Sequence, residues 1–225
     1  MATFVAEFGK NTGPVEDDGR LHAPTFERNH NPIWGALAPF LMGKSGDVVE
    51  AGSGTGQHVV EYARRSPEIM WWPSDLKPSH LKSIAAWRVH SGLANIHAPL
   101  SVDLSDSEWC PAMQDAAGPG PLLAVVCANV VHIAPWRVAE GLIAGAARYL
   151  RPDGRLFIYG PFRVDGKHTA VSNAVFDASL READAEWGVR DVSDLAELAS
   201  EVGLKLIETL EMPANNLVLV FGRVG

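Results

Sequence analysis

Apolar and polar positions along the chain follow two periods. From residue 47, short apolar runs suited to buried strands alternate with stretches whose apolar residues recur every three or four positions. "DVVEA" predicts a strand and "GQHVVEYARRS" the helix after it. "IMWWPSD" predicts a second strand, and "PSHLKSIAAWRVHSG" a helix with Pro78 in its first turn. "IHAPLSVDL" predicts a third strand, with a short helix around "DSEWCPAMQDAA". "PLLAVVCANVV" gives the clearest strand signal. The following helix, "PWRVAEGLIAGAARYL", carries Val138, Leu142, Ala146 and Leu150 as one stripe; a turn at "RPDG" then leads into the strand "GRLFIYG". Ahead of this alternation, "NPIWGALAPFLMG" predicts a helix capped by Asn31, with Pro32 at its first position and Ile33, Leu37 and Leu41 on one face. Residues 1–30 show no period and are read as an extended or loosely helical arm.

A strand–helix alternation of this kind implies a parallel sheet covered on both faces. The last third departs from it. Residues 161–191 form a long polar insertion with a helix predicted through "SNAVFDASLRE", followed by a helix at "VSDLAELASEVG". The apolar runs "LKLIETLEM" and "NLVLVFGRV" are joined only by "PANN", long enough for a hairpin and too short for a parallel crossover.

Composition narrows the function classes. The 225 residues suit one α/β domain, and the 47% apolar and 20% charged content is that of a globular chain. A formal charge of −8 without a Lys/Arg run argues against nucleic acid. The longest apolar stretch, "PLLAVVCANVVHIAPW", is broken by Asn129 and His132, so no membrane span is expected. Cys110 and Cys127 are the only cysteines and have no ligand spacing, and the histidines are scattered. A cytoplasmic protein without a metal site is expected.

The chemistry concentrates at "EAGSGTG". A dinucleotide fingerprint needs a third glycine where this chain has Gln57 or Val59. Here Gly52, Gly54 and Gly56 alternate instead, and Glu50 stands two residues before the first of them. A carboxylate at that strand end offers nothing to a pyrophosphate but suits a cation such as S-adenosylmethionine (SAM), which carries an ammonium and a sulfonium. Asp75 and Asp103 close the next two strands, where one can accept ribose hydroxyls and the other an adenine amino group.

Residues Glu50 to Gly56, Asp75, Asp103, "CANVVHI" and "LRPDGRLFIYGPF" together resemble the motifs of class I SAM-dependent methyltransferases. More narrowly, "PTFERNHNPI", "SDLKPSHLKSI" and the insertion resemble the methyltransferase-like family catalogued as domain of unknown function 938. His22 and Thr25 depart from that family's arm. The resemblance implies a Rossmann-like fold with a mostly parallel seven-stranded sheet and an antiparallel C-terminal hairpin. It implies an arm at residues 1–30 over the active site of a single domain, residues 31–225, with a lid-like insertion at 161–191. It further implies a small-molecule acceptor, S-adenosylhomocysteine (SAH) as product, and a monomer or homodimer. The implied SAM ligands are Arg28, Asn29, Glu50, Gly52, Ser53, Gly54, Thr55, Gly56, Asp75, Leu76, Asp103, Leu104, Asn129 and Val130.

On the acceptor side, His132 directly follows the fourth strand and is a candidate base or substrate contact; a buried structural histidine is the other reading. Tyr159 is a second catalytic or substrate-binding candidate. Arg163, His168 and His22 are further substrate-contact candidates, Lys167 lies beside His168, and Gly166 is a hinge candidate; a surface charge at Arg163 and a solvated loop at 166–168 are the other readings. Trp136 and Trp187 either pack the core or wall an aromatic pocket. The rivals to a methyltransferase are an NAD-dependent oxidoreductase and a non-catalytic SAM-binding or partner-binding module.

Overall fold

The computed structural model describes residues 15–110 and 120–223. Its strands are β1 (Gly46–Ala51), β2 (Ile69–Asp75), β3 (Leu100–Ser101), β4 (Leu122–Ala128), β5 (Leu150–Val164), β6 (Lys167–His168), β7 (Arg190–Asp191), β8 (Leu204–Met212) and β9 (Asn216–Arg223). The helices are α1 (Phe26–Leu41), α2 (Gln57–Arg65), α3 (Pro78–Ser91), α4 (Trp136–Tyr149), α5 (Val171–Ala183) and α6 (Val192–Glu201). Seven strands form the main sheet in the order β3-β2-β1-β4-β5-β9-β8, parallel from β3 to β5 and antiparallel through β9 and β8. Strands β6 and β7 pair only with the far end of β5, flanking it beyond the main sheet.

Alternation along the strands separates two apolar layers. Val48, Trp71, Val126 and Phe157 meet Ile33 and Leu37 of α1 and Val59 and Tyr62 of α2. Val49, Cys127, Ile158 and Phe221 meet Leu142 and Ala146 of α4 and Leu195 of α6. Truncating a fully buried side chain such as Phe157 to alanine costs about 3–5 kcal/mol in a core of this kind. On α4, Gly141 and Gly145 leave a groove into which the Leu104 backbone and the Trp109 indole settle, so a Cβ at either glycine would collide. That groove anchors the segment after β3, which carries part of the site.

Several boundaries differ from expectation. Helix α1 starts at Phe26, six residues before Pro32, so Pro32 and Pro39 lie inside it and Asn31 is not its cap. An interior proline loses one backbone bond and costs roughly 3 kcal/mol, which burial of Ile33, Ala36, Leu37 and Leu41 offsets. The third strand shrinks to two residues. The chain touches β2 at Ile96, leaves it around Pro99, which has no N–H for the ladder, and rejoins at Leu100. The "RPDG" segment falls within β5, bulging between the pairs Leu122–Leu150 and Ala124–Arg155. The helix expected around residue 111 falls largely on 111–119, outside the described residues, as does the first part of the arm. No helix among the described residues is long and apolar enough to cross a membrane.

Candidate functional site

The turn after β1 uses left-handed backbone at three alternate positions, with Gly52, Gly54 and Gly56 at φ 75°, 57° and 90°. A Cβ on Gly52 would approach Val130 Cγ2 to 2.6 Å, and one on Gly56 would approach Ile84 Cα to 2.9 Å. At Gly54 a Cβ would meet nothing within 4 Å, because this residue borders open space. Its amide donates to Asp75 Oδ2 at 2.9 Å. Ser53 and Thr55 serve the turn instead: the Ser53 hydroxyl donates to Glu50 O and accepts from Ser74 N, and the Thr55 hydroxyl donates to Gln57 Oε1.

Beside the turn lies a cleft of about 240 Å³, where the order of the strands reverses between β1 and β4. Gly52, Gly54, Asp75, Leu76, Asp103, Leu104, Asn129 and Val130 all line it. Asp75 Oδ1 accepts from Lys77 N at 2.9 Å, so each carboxylate oxygen holds one backbone amide and keeps a lone pair for a ligand. The exposed Asp103 accepts from Ser105 N and Oγ through Oδ1. Asn129 adopts φ 58°, and its amide donates to Tyr159 O, tying the end of β4 to β5.

Sequence reasoning missed His80, Arg137 and Val138, which also line the cleft. They occupy the first turns of α3 and α4, and the rule that ligands bind beyond the carboxyl ends of strands was the signal that could have found them. His80 Nδ1 lies 3.1 Å from Asp75 Oδ1, near enough for ion pairing but without hydrogen-bond alignment. Gln57 was also missed. Its Oε1 accepts from Ala23 N and holds the arm against α2.

Glu50 lies under the turn, on the sheet face covered by α1 and α2, rather than in the cleft wall. It is 3% exposed, and its Oε2 has no hydrogen-bond partner. Burial, with Asp75 nearby, pushes its carboxyl up to about 8, against a smaller opposing effect of the Ser53 hydroxyl. Tyr62 is raised by burial and by Glu50, and its hydroxyl lies 3.0 Å from His58 Nδ1.

The acceptor-side candidates are spread more widely. His132 is 2% exposed beneath α5, edge-on to Phe176, and its Nδ1 is unpartnered. Burial, then Arg190, lowers it to about 3. It does not line the cleft. Tyr159 sits on the Glu50 side of the sheet, where its hydroxyl accepts from Asn216 Nδ2 at 2.9 Å and burial raises its pKa, with Asn216 and Arg28 opposing. Arg28 and Asn29 occupy the first turn of α1. His22 turns toward α3, edge-on to Trp87 and 2.9 Å from Glu16 Oε1, away from the cleft lining. Trp136 and Trp187 pack the insertion, one beside the Arg190 guanidinium and the other with Leu180 and Val189. Among the described residues, no group of His, Cys, Asp and Glu could hold a metal ion.

This strand order, with its closing hairpin and glycine turn, is the Rossmann-like class I methyltransferase fold. Solved structures share it at low identity. An O-methyltransferase family protein from Burkholderia thailandensis matches with a TM-score of 0.70 and 18% identity over 89% of this chain and 57% of that one. TnmH matches at 0.69 and 20%, over 88% and 56%. CalO1, a methyltransferase in calicheamicin biosynthesis solved in SAH-bound form, matches at 0.64 and 13%, over 88% and 55%. The chain therefore spans little more than half the length of these proteins. Residues 20–223 match the family model described as "Protein of unknown function (DUF938)", and the chain belongs to that family.

Proposed function

We propose that this protein is a SAM-dependent methyltransferase acting on a small-molecule acceptor through an oxygen, nitrogen or sulfur nucleophile. The observation that carries this reading is the buried Glu50 carboxylate with an unpartnered oxygen beneath three left-handed glycines. An ammonium satisfies that oxygen once the carboxyl ionises, whereas a pyrophosphate gains nothing from it in either form. Bound SAM supplies a methyl group on a positively charged sulfur, open to in-line displacement.

The remaining chemistry belongs to the chain. Asp75 would accept the ribose hydroxyls through its spare lone pairs, Leu76, Leu104 and Val130 would hold the adenine, and Asp103 would accept from its amino group. Arg28 and Asn29 take the ligand's carboxylate. The Tyr159 hydroxyl, already accepting from Asn216, keeps its own proton to donate to the acceptor. His132, neutral at pH 7 and a weak base, shapes the floor under the insertion rather than removing a proton. Catalysis then rests on alignment and exclusion of water, with the insertion at 161–191 covering the acceptor.

Titration calorimetry with SAM and, separately, with NADH tests the cofactor. Micromolar SAM binding, no NADH response and SAH release with a panel of small nucleophiles are expected. NADH binding without SAM binding would reverse the reading of Glu50, and SAM binding without turnover would leave a binding module.

A further inference from the structure

Arg163 stands on the extension of β5 beyond the main sheet, half-buried, and its side chain makes no hydrogen bond or ion pair with any described residue. Its Nε is fully buried without a partner. None of the described charged groups around it hydrogen-bonds it, although its charge, after the Ser193 and Gly166 hydrogen bonds, helps to lower the Asp191 carboxyl against the effect of burial. Asp191 lies opposite it on β7, but its Oδ2 accepts from Gly166 N at 2.8 Å and its Oδ1 from Ser193 N and Oγ. Arg190 donates to the carbonyls of Val131, Ala134 and Glu186, and Arg181 pairs with Asp177. On the other side, His168 faces Arg163 from β6. Its Nε2 lies 3.5 Å from Asp177 Oδ2, and its buried Nδ1 has no hydrogen-bond partner.

Two adjacent side chains on one three-stranded ribbon thus present nitrogens that the protein does not satisfy. Burying Nε without a partner is costly, while the rest of the half-exposed planar fork stays open to a group with two anionic oxygens. In a chain of net charge −8, such an arginine is a local exception that draws an anion to one place. The ribbon adjoins the cleft: Arg190 and Gly188, at its edge, bond the backbone of the 131–134 segment, and Ala134 lines the cleft. Along β5, Arg163 is four residues past Tyr159, which is bonded to Asn129 of the cleft, a distance of about 13 Å for extended chain.

We propose that Arg163, with His168 beside it, binds a carboxylate or phosphate of the methyl acceptor, so that the substrate is an anionic small molecule reaching from this ribbon to the methyl donor. This deepens the methyltransferase reading and rests on it for the word acceptor. The anion site itself is independent of that reading.

The test is calorimetric titration of the SAH-saturated protein, and of the ligand-free protein, with sodium benzoate and with inorganic phosphate, for wild type, Arg163→Met and Arg163→Lys. Wild type is expected to bind at least one anion. Arg163→Met should bind it roughly 10- to 100-fold more weakly, and Arg163→Lys should fall between. Tighter benzoate marks a carboxylate acceptor and tighter phosphate a phosphate ester. Because Arg163→Met loses no hydrogen bond to a described residue, only the attraction to Asp191, it should melt without anion within a few degrees of wild type. Binding of neither anion, or equal binding by Arg163→Met, overturns the proposal, as does a melting temperature several degrees lower with anion affinity unchanged. Anion binding in a protein that binds no SAH would refute the cofactor assignment while leaving Arg163 as an anion site.

Discussion

If Glu50 takes the ammonium of SAM as proposed, cofactor binding is linked to a proton. The Glu50 carboxyl is held up to about 8 by burial and by Asp75, so in the ligand-free protein it is about nine-tenths protonated at pH 7. A cationic ligand requires the ionised form, and binding must therefore expel a proton. If the bound carboxyl titrates well below pH 6, the apparent Kd for SAM falls about ninefold from pH 6 to pH 7, and binding at pH 7 releases about 0.9 proton. Calorimetry in buffers of differing ionisation enthalpy measures both quantities. Glu50→Gln should bind SAM more weakly, show no pH dependence over that range and release no proton. The same ionisation bears on folding. A carboxyl raised from the ordinary 4.5 to about 8 contributes stability that is present below pH 4.5 and lost as pH rises through 8, on the order of 5 kcal/mol. Free Glu50→Gln should accordingly melt above wild type at pH 9 and close to it at pH 5. A wild-type Kd that is flat between pH 6 and 7, with no proton release, would refute the assignment of Glu50 to the ligand's ammonium.

Other outcomes follow from the same geometry. Gly56→Ala places a Cβ against the Ile84 backbone in a left-handed conformation and should cost roughly 1–3 kcal/mol, read as a lower melting temperature. Asp75→Ala strands the Gly54 and Lys77 amides and removes the proposed ribose acceptor; a loss of about 1–3 kcal/mol in stability should accompany weaker SAM binding, both measurable by calorimetry. His132, lowered to about 3 by burial and Arg190, contributes stability that is present above pH 6.5 and lost as pH falls toward 3. Replacing it with asparagine should flatten acid unfolding over that window and leave the pH–rate profile between 6 and 8 unchanged. A lost rate limb there would restore His132 as the base.

Much of the site was legible because its signals are local. Three alternate glycines after a strand, an acid before them and acids closing the next strands all depend on backbone geometry within a few residues, and eight of the residues expected to hold a cofactor line one cleft. Ser53 and Thr55 shared the motif, but their hydroxyls turned to the backbone and Gln57, a choice made by neighbours on β2 and α2. His80 and Arg137 carried no motif. Their place in the cleft depends on how α3 and α4 dock against the sheet.

Hydrophobic periodicity and turn chemistry were enough to determine the alternation of strands and helices, the closing hairpin and the glycine turn, since each depends on contacts near in sequence. Tertiary structure alone decided that α1 runs through two prolines, because burial of Ile33, Leu37 and Leu41 outweighs the lost backbone bonds. It also decided which charges remain unsatisfied. The sequence marks Glu50 and Arg163 as site candidates by their place at strand ends, but only packing from distant segments removes water from Glu50 Oε2 and Arg163 Nε and leaves them without partners.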